Sequence, residues 1–193
     1  MKMKTLKIRW HGTHSLLMHD CKGVNPTLPL VIEKKKLTAK RKKTEEDLLK
    51  ILDLDYMLAL YYEDNIGPYV PALNVEATIR ESAKKVKKGQ QTKVGIMVKP
   101  DYIPLKYDGP RDIESLIKNE KFRDVRPVVV NRSKVLCCRP RFDSCEIEFN
   151  LEYDSEVFDI EELANIIRIA GGQIGLCDYR PRYGRFEAFI EEI

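Results

Sequence analysis

The chain has 193 residues, of which 43% are hydrophobic and 33% are charged, and its formal net charge is +4. This composition is typical of a folded globular protein, because a disordered chain would be poorer in Ile, Val and Leu. No apolar stretch approaches the ~20 residues that cross a bilayer, and the segment that begins at Met1 has no signal-peptide pattern. We therefore expect no membrane partner. The five cysteines form no C-x-x-C pair, which favours reduced thiols and a cytoplasmic location.

The charges are segregated along the sequence. Residues 34–43 contain seven basic side chains and no acidic one, and residues 80–99 contain seven more against Glu81 alone. Residues 143–163 contain nine acidic side chains and no Lys or Arg. A basic surface with an acidic reverse side suits a polyanion, because phosphates neutralised by Lys and Arg release counterions and so drive binding. The alternative is that each run is only a solvated face.

The N-terminal third begins with a strand. Residues 5–10 alternate apolar and basic side chains, which is the period-2 pattern of a half-buried strand. Residues 11–29 carry several Gly and Pro residues and predict an irregular loop. Thr44 and Asp47 resemble a capping box, so we expect a helix from about residue 45 to 61.

The middle third contains a basic helix. Asn74 is a candidate N-cap, and Gly89 is the predicted end of the helix. Four apolar residues at helical spacing predict the buried stripe, namely Val75, Ile79, Ala83 and Val86. The other face carries Arg80, Lys84, Lys87 and Lys88. Residues 93–99 predict a strand, and a short helix is expected within residues 101–119.

The C-terminal third alternates strands with one helix. Residues 125–142 predict a hairpin with a basic tip at 131–134, and residues 145–153 alternate as a strand with one face in water. Asp159 and Glu162 predict a capping box for a helix that Gly171 and Gly172 stop. A Gly- and Arg-rich loop then leads into a last strand over residues 185–193.

The order of these elements predicts an α+β fold. Strand, helix, strand is followed by strand, helix, strand, which is the ferredoxin-like, RRM-like arrangement of an antiparallel sheet with helices on one face. We predict a single elaborated domain over residues 1–193, with a large helical insertion at about residues 20–66.

Two segments carry a family resemblance. Residues 69–80 read YVPALNVEATIR, which looks like the "IPGSSLKGALR" segment of the RAMP superfamily, although Ala72 and Leu73 stand where that family tends to have Gly and Ser. Residues 171–186 read GGQIGLCDYRPRYGRF, which is similar to the glycine-rich loop before the last strand of RAMP proteins.

The resemblance implies a function as well as a fold. The superfamily includes the Cas7-like backbone subunits of CRISPR effectors, so the resemblance implies a ferredoxin-like protein that binds RNA, and one that forms a homo-oligomer or part of a larger ribonucleoprotein. It covers about half of the chain. Similar proteins in phage genomes are a further lead.

The C-terminal loop has binding chemistry of its own. Arginines and aromatic residues alternate in it, at Tyr179, Arg180, Arg182, Tyr183, Arg185 and Phe186. Guanidinium groups bind phosphates bidentately, and aromatic rings stack on unpaired bases. Gly175 and Gly184 allow a close approach of the backbone. In the alternative interpretation the aromatic residues belong to the core, and the arginines pair with Asp178 and Glu187.

Two other basic segments are candidates for the same ligand. Arg80, Lys84 and Lys88 recur every four residues and so share one face of a helix, where they could follow a phosphate backbone. Lys40 and Arg41 represent the basic insertion. We expect the C-terminal arginines and Tyr183 to lie beside Arg80 and Lys84.

An enzymatic alternative rests on the loop after the first strand. His11, His14 and His19 lie close together there, next to Asp20, and such groups can act in acid–base catalysis. The RAMP superfamily includes ribonucleases, so one alternative function is RNA cleavage by this loop. The histidines lack a standard zinc spacing. We therefore expect no metal and no cofactor.

The sequence thus predicts a protein that binds single-stranded nucleic acid, with RNA favoured over single-stranded DNA, and that is not a free-standing enzyme. The alternatives are a RAMP-type ribonuclease and a phage-type factor that binds other proteins and no nucleic acid.

Overall fold

The computed structural model describes residues 2–130 and 132–193. The chain divides into two compact units, of which the first comprises Met1–Leu16, Tyr62–Gly109 and Phe142–Ile193 and the second comprises Leu17–Tyr61 and Pro110–Arg141. The second unit contains most of the predicted insertion and adds residues 110–141 to it. Met1 and Asn131, which belong to the predicted N-terminal segment and hairpin tip, lie outside the described residues.

The described elements form a mixed α+β structure with antiparallel sheets, as predicted. In chain order they are β1 (Met3–Gly12), β2 (Leu16–Leu17), α1 (Pro29–Thr38), α2 (Glu45–Ala59), β3 (Tyr62–Glu63), β4 (Gly67–Pro71), α3 (Ala72–Lys85), α4 (Gly89–Gly95), β5 (Ile96–Lys99), β6 (Tyr102–Pro104), α5 (Ile113–Lys118), β7 (Arg123–Val130), β8 (Ser133–Phe142), β9 (Glu146–Asp154), α6 (Ile160–Ile169) and β10 (Phe186–Glu192). In the described ranges, none of the helices combines the length and apolar character that a membrane span requires.

The main sheet of the first unit has the order β10-β1-β9-β5, and all of its pairs are antiparallel. In β1 the predicted alternation is confirmed, because Leu6, Ile8 and Trp10 are buried while the residues between them are exposed. Ile8 lies opposite Phe149 of β9, which is also buried. The central strands therefore turn one apolar face into the core of this unit.

Two helices of the first unit pack on this sheet and on each other, since α3 contacts β5 and α6, and α6 contacts β10. The side chain of Asp159 accepts a hydrogen bond from the backbone N–H of Glu162 at 2.8 Å, so Asp159 is confirmed as the N-cap of α6. Leu163, Ile166 and Ile167 are fully buried. Each such side chain contributes about 1.5–3 kcal/mol of transfer free energy.

The α-helix α6 ends at Ile169, close to the predicted stop at Gly171 and Gly172. These glycines do not end the helical path, because the chain continues through them as a wider π-helical turn, Ala170–Ile174, up to Gly175, whose φ is 81°. Gly171 is required by packing instead, because a Cβ atom there would lie 2.1 Å from the carbonyl oxygen of Phe186.

The predicted N-cap of α3 is also wrong. The helix begins at Ala72, directly after Pro71, and Asn74 lies inside its first turn. The N–H of Ala72 donates to the carbonyl of Asp101 at 2.8 Å. A neighbouring backbone carbonyl thus satisfies a free N–H of the first turn, which a side-chain cap would otherwise do.

The second unit contains α1, α2 and α5 and most of the sheet β2-β8-β7. The capping box of α2 is confirmed, since Thr44 and Asp47 exchange both hydrogen bonds. The predicted hairpin is confirmed as β7 and β8. Helix α1 was not predicted from the sequence. None of its residues is buried, so it lacks the apolar stripe by which amphipathic helices are recognised.

Candidate functional site

Helix α3 has one buried face and one basic face. Val75, Ile79 and Ala83 are fully buried, which confirms the core of the predicted stripe. Arg80 and Lys84 are one turn apart on the other face. The packing of the helix in the first unit therefore directs these two cations away from the core.

The C-terminus of α3 is a Schellman motif. The N–H of Lys88 donates to the carbonyl of Ala83 at 2.8 Å, and the N–H of Lys87 donates to that of Lys84 at 3.1 Å. Lys87 takes the left-handed position of the motif with a φ of 61°. Glycine usually occupies this position. The predicted end at Gly89 is therefore wrong: α3 ends at Lys85, and Gly89 begins α4, whose last turn includes Lys93 of the predicted strand.

The residues around this turn form an open concavity of about 480 Å³, which we call the basic concavity. It is lined by Arg80, Lys84, Lys87, Gly89, Gln90 and Lys93. A Cβ atom on Gly89 would lie 2.7 Å from Cγ of Lys84, so the glycine makes room for the lysine stem. The structure thus brings together three of the predicted residues, and Gln90 and Lys93 were missed because α4 was not predicted.

Lys88 points elsewhere. Its Nζ lies 3.1 Å from a carboxylate oxygen of Glu162 and 5.7 Å from the ring centroid of Phe158. It does not line the basic concavity, although its spacing in the sequence matches that of Arg80 and Lys84.

Thr78 joins α3 to the C-terminal loop. Its Oγ1 lies 3.5 Å from Nη1 of Arg180 and 3.3 Å from the carbonyl oxygen of Gly175. Asn74 donates from Nδ2 to Sγ of Cys177 at 3.8 Å. Arg180 thus contacts α3 at Thr78, and it is not among the residues that line the basic concavity.

A carboxylate lies among these cations. Oε1 of Glu81 is 2.5 Å from Nζ of Lys84. Lys84, by its hydrogen bond and its charge, and then the charges of Arg180 and Arg80, hold the pKa of Glu81 below its usual value. Glu81 therefore stays ionised and offsets part of the positive charge.

The glycines of the C-terminal loop have a role other than the predicted one. The N–H of Leu176 donates to the carbonyl of Gly184 at 2.8 Å, which closes the neck of the loop. A Cβ atom on Gly184 would lie 1.9 Å from the carbonyl oxygen of Leu176, and its φ is 71°. The close backbone approach that these glycines allow is within the loop itself.

The other predicted loop residues are more dispersed. Arg185 donates from Nε to the carbonyl of Pro181 at 2.7 Å, and it lies beside Trp10 and His14 in the wall of a small cavity of about 20 Å³. Arg182 is exposed. The ring of Tyr183 meets that of Tyr179 edge-on, with centroids 6.4 Å apart. Arg180 is thus the loop arginine that reaches α3, whereas Arg185 lies at the end of β1.

Lys40 and Arg41 belong to the second unit. Nζ of Lys40 lies 2.6 Å from Oδ1 of Asp47, and this contact lowers the pKa of the Asp47 carboxyl. Lys40 therefore supports the N-terminus of α2. Arg41 is exposed.

The predicted histidine loop is divided between the units. His11 and His14 lie in the first unit, where His11 faces Glu146 at 3.8 Å. His19 and Asp20 lie in the second unit, where Asp20 caps the 3₁₀ turn Cys21–Val24. Over residues 2–130 and 132–193, no group of three or more His, Cys, Asp or Glu side chains could hold a metal ion.

Acidic residues of the predicted acidic segment pair with basic side chains from other strands and loops. Glu148 of β9 pairs with Lys7 and Lys106 at 3.3 Å each, and these lysines lower its pKa. Glu152 pairs with Lys99 at 2.7 Å. The exposed face of the sheet therefore mixes both signs of charge, which the sequence could not show because the partners are distant along the chain.

Arg80, Lys84 and Lys87 of the predicted site thus line one concavity, and Arg180 contacts the same helix at Thr78. A comparison of the chain with protein-family models finds no matching family, and a comparison with curated proteins finds no match.

Proposed function

We propose that this protein binds single-stranded nucleic acid by holding backbone phosphates in the basic concavity and beside Arg180. The observation that carries the proposal is the convergence of four cations, from Arg80, Lys84, Lys87 and Lys93, on one open concavity. Lysine offers a mobile point charge and arginine a planar fork, and both bind phosphate oxygens. Phosphate contacts of this kind give affinity without base specificity.

We also propose that the first unit has the ferredoxin-like fold of the RAMP type. Its element order β1, α3, β5, β9, α6, β10 and its sheet order β10-β1-β9-β5 support this proposal, because they match two interleaved βαβ units. The preference for RNA over DNA rests on the RAMP resemblance of residues 69–80 and 171–186. A cytoplasmic location is proposed because all five cysteines are free thiols. Assembly into a homo-oligomer or ribonucleoprotein stays a prediction.

A ribonuclease is not our proposal. Catalysis by the predicted loop would need His11 or His14 to act with Asp20, yet Asp20 already caps a 3₁₀ turn and pairs with Lys22 at 3.6 Å. We favour binding alone.

The proposal is tested by fluorescence anisotropy with a short labelled RNA strand, the matching DNA strand and the RNA duplex. Four phosphate contacts on a single strand should give a slope of log affinity against log salt of about −3. Lys84→Met should weaken binding and reduce the slope by about 0.7.

Lys85→Met is the matched control. Lys85 is the next residue of α3, is also exposed, and contacts Gln173 at 2.7 Å instead of lining the concavity. We expect its affinity to stay close to that of the wild type. A flat salt dependence, or equal losses in the two variants, would contradict the proposal and favour a factor that binds proteins.

A further inference from the structure

Glu81 lies beside Lys84, which is one of the proposed phosphate ligands. Lys84 lines the basic concavity, yet its Nζ contacts Oε1 of Glu81 at 2.5 Å. Thr78, one turn before Glu81, lies within 3.5 Å of the Arg180 guanidinium. One of the cations that are proposed to bind phosphate therefore already contacts a carboxylate, and the charges of Arg180 and Arg80 act on the same group.

The contact between Glu81 and Lys84 has little structural purpose. The two side chains keep 42% and 58% of their surface exposed, and exposed ion pairs three residues apart on a helix add little to stability. The core of α3 is formed by other residues, among them Val75 and Ile79. The substitution Glu81→Gln should therefore preserve the helix.

We propose that Glu81 is a built-in competitor of the ligand, which holds Lys84 until a backbone phosphate displaces it. This inference rests on the proposed function and assigns a regulatory residue to the same site. A carboxylate and a phosphate are both oxyanions, so either can satisfy the Lys84 ammonium group. Lys84 can turn from one to the other about its flexible stem. Each binding event then leaves the Glu81 carboxylate without its contact to Lys84. This uncompensated charge lowers the affinity for the strand and speeds its release.

The test compares Glu81→Gln with wild type in the same anisotropy assay. We expect the variant to bind the RNA strand about tenfold more tightly, which corresponds to about 1.4 kcal/mol. Its salt slope should stay close to that of the wild type, because both proteins make the same number of phosphate contacts.

Two controls isolate the contact. Glu161→Gln makes the same change of charge at an exposed position of α6, and it should raise the affinity by less than about twofold, since separated exposed charges are screened by salt. In a Lys84→Met background, Glu81→Gln should lose most of its effect, as a double-mutant cycle requires of two coupled residues.

The outcomes separate the inference from the function. If wild type binds the strand and Glu81→Gln binds no more tightly than Glu161→Gln, the inference is overturned and the proposed function stands. Calorimetry with sodium triphosphate probes the same cations without nucleic acid. If wild type binds no strand but triphosphate binds more tightly to Glu81→Gln, the function fails and the competition stands. If neither the RNA strand nor triphosphate binds more tightly to Glu81→Gln than to the wild type, the inference fails as well.

Discussion

Lys87→Gly should separate binding from folding. Lys87 lies in the left-handed region with a φ of 61° at the Schellman turn, and its side chain lines the basic concavity. A lysine at this position costs the fold free energy that a glycine would not cost. The side chain is therefore unfavourable for stability at the very place where we propose that its charge is used.

The expected magnitudes have opposite signs. Removing the left-handed lysine relieves about 1–2 kcal/mol, and the greater freedom of glycine in the unfolded chain offsets about 0.5–1 kcal/mol of this gain. The net effect is a stabilisation of about 0.5 kcal/mol, or about 1–2 °C in Tm for a chain of this size. Affinity for the RNA strand should fall by about tenfold, or about 1.4 kcal/mol, with a salt slope reduced by about 0.7.

Thermal unfolding and anisotropy measure the two effects. Arg132→Gly is the matched control, because Arg132 also has a left-handed φ, 67°, but belongs to the second unit and does not line the concavity. It should become similarly more stable and keep its affinity. Lys87→Arg should retain both the strain and the binding. The reasoning is refuted if Lys87→Gly lowers the Tm by several degrees, or if its affinity equals that of Arg132→Gly.

Three further substitutions test packing, capping and titration. Gly89→Ala places a Cβ atom 2.7 Å from Cγ of Lys84, so it should displace the lysine and weaken strand binding by about threefold in anisotropy. An unchanged affinity would show that the lysine side chain can take another conformation and still bind. Thr44→Ala removes the capping box of α2 and should cost about 1 kcal/mol in chemical denaturation, with affinity unchanged, and a loss of affinity would link α2 to binding. Burial raises the pKa of the Cys145 thiol from 9.0 to about 12, so its contribution to stability is complete below pH 9 and is lost as the pH rises towards 12. Between these limits wild type should lose more stability than Cys145→Ala, and equal losses would exclude this thiol as a cause.

The parts of the fold that the sequence predicted are those fixed by local chemistry. Strand β1 was predicted because Leu6, Ile8 and Trp10 face one core, so burial and sequence have the same period. The N-termini of α2 and α6 were predicted because Thr44 and Asp159 satisfy free N–H groups within their own first turns. Such signals involve residues only three positions apart and need no tertiary information.

The errors arose where a distant part of the chain replaced a local signal. Asn74 is a good capping residue, but the carbonyl of Asp101 already accepts the N–H of Ala72. Gly171 is a residue type that often ends helices, but here it allows Phe186 of β10 to pack closely against the backbone. In both cases the deciding contact spans more than ten residues along the chain, which local patterns do not encode.

The candidate site was predicted only in part. Helical spacing can be read from neighbouring residues, whereas the ion-pair partner of each lysine depends on distant parts of the chain. Adjacent positions on a helix differ by about 100° in direction, so Lys84 turns to the basic concavity and Lys85 to Gln173. Lys88 shares the spacing of Lys84 but is bound by Glu162. A count of charges along the sequence does not distinguish these three lysines.

The different contacts of these three lysines make it possible to test whether nucleic acid binds at a specific site or is attracted generally to a basic chain. General attraction depends on net charge, so each single substitution of Lys84, Lys85 or Lys88 by Met should weaken binding equally. Binding at the basic concavity should instead single out Lys84, because a phosphate contact is lost only there. Lys88→Met should lower stability slightly through the lost contact with Glu162 and leave the salt slope unchanged. Three equal slopes would mean that the concavity is only the most basic part of a solvated surface.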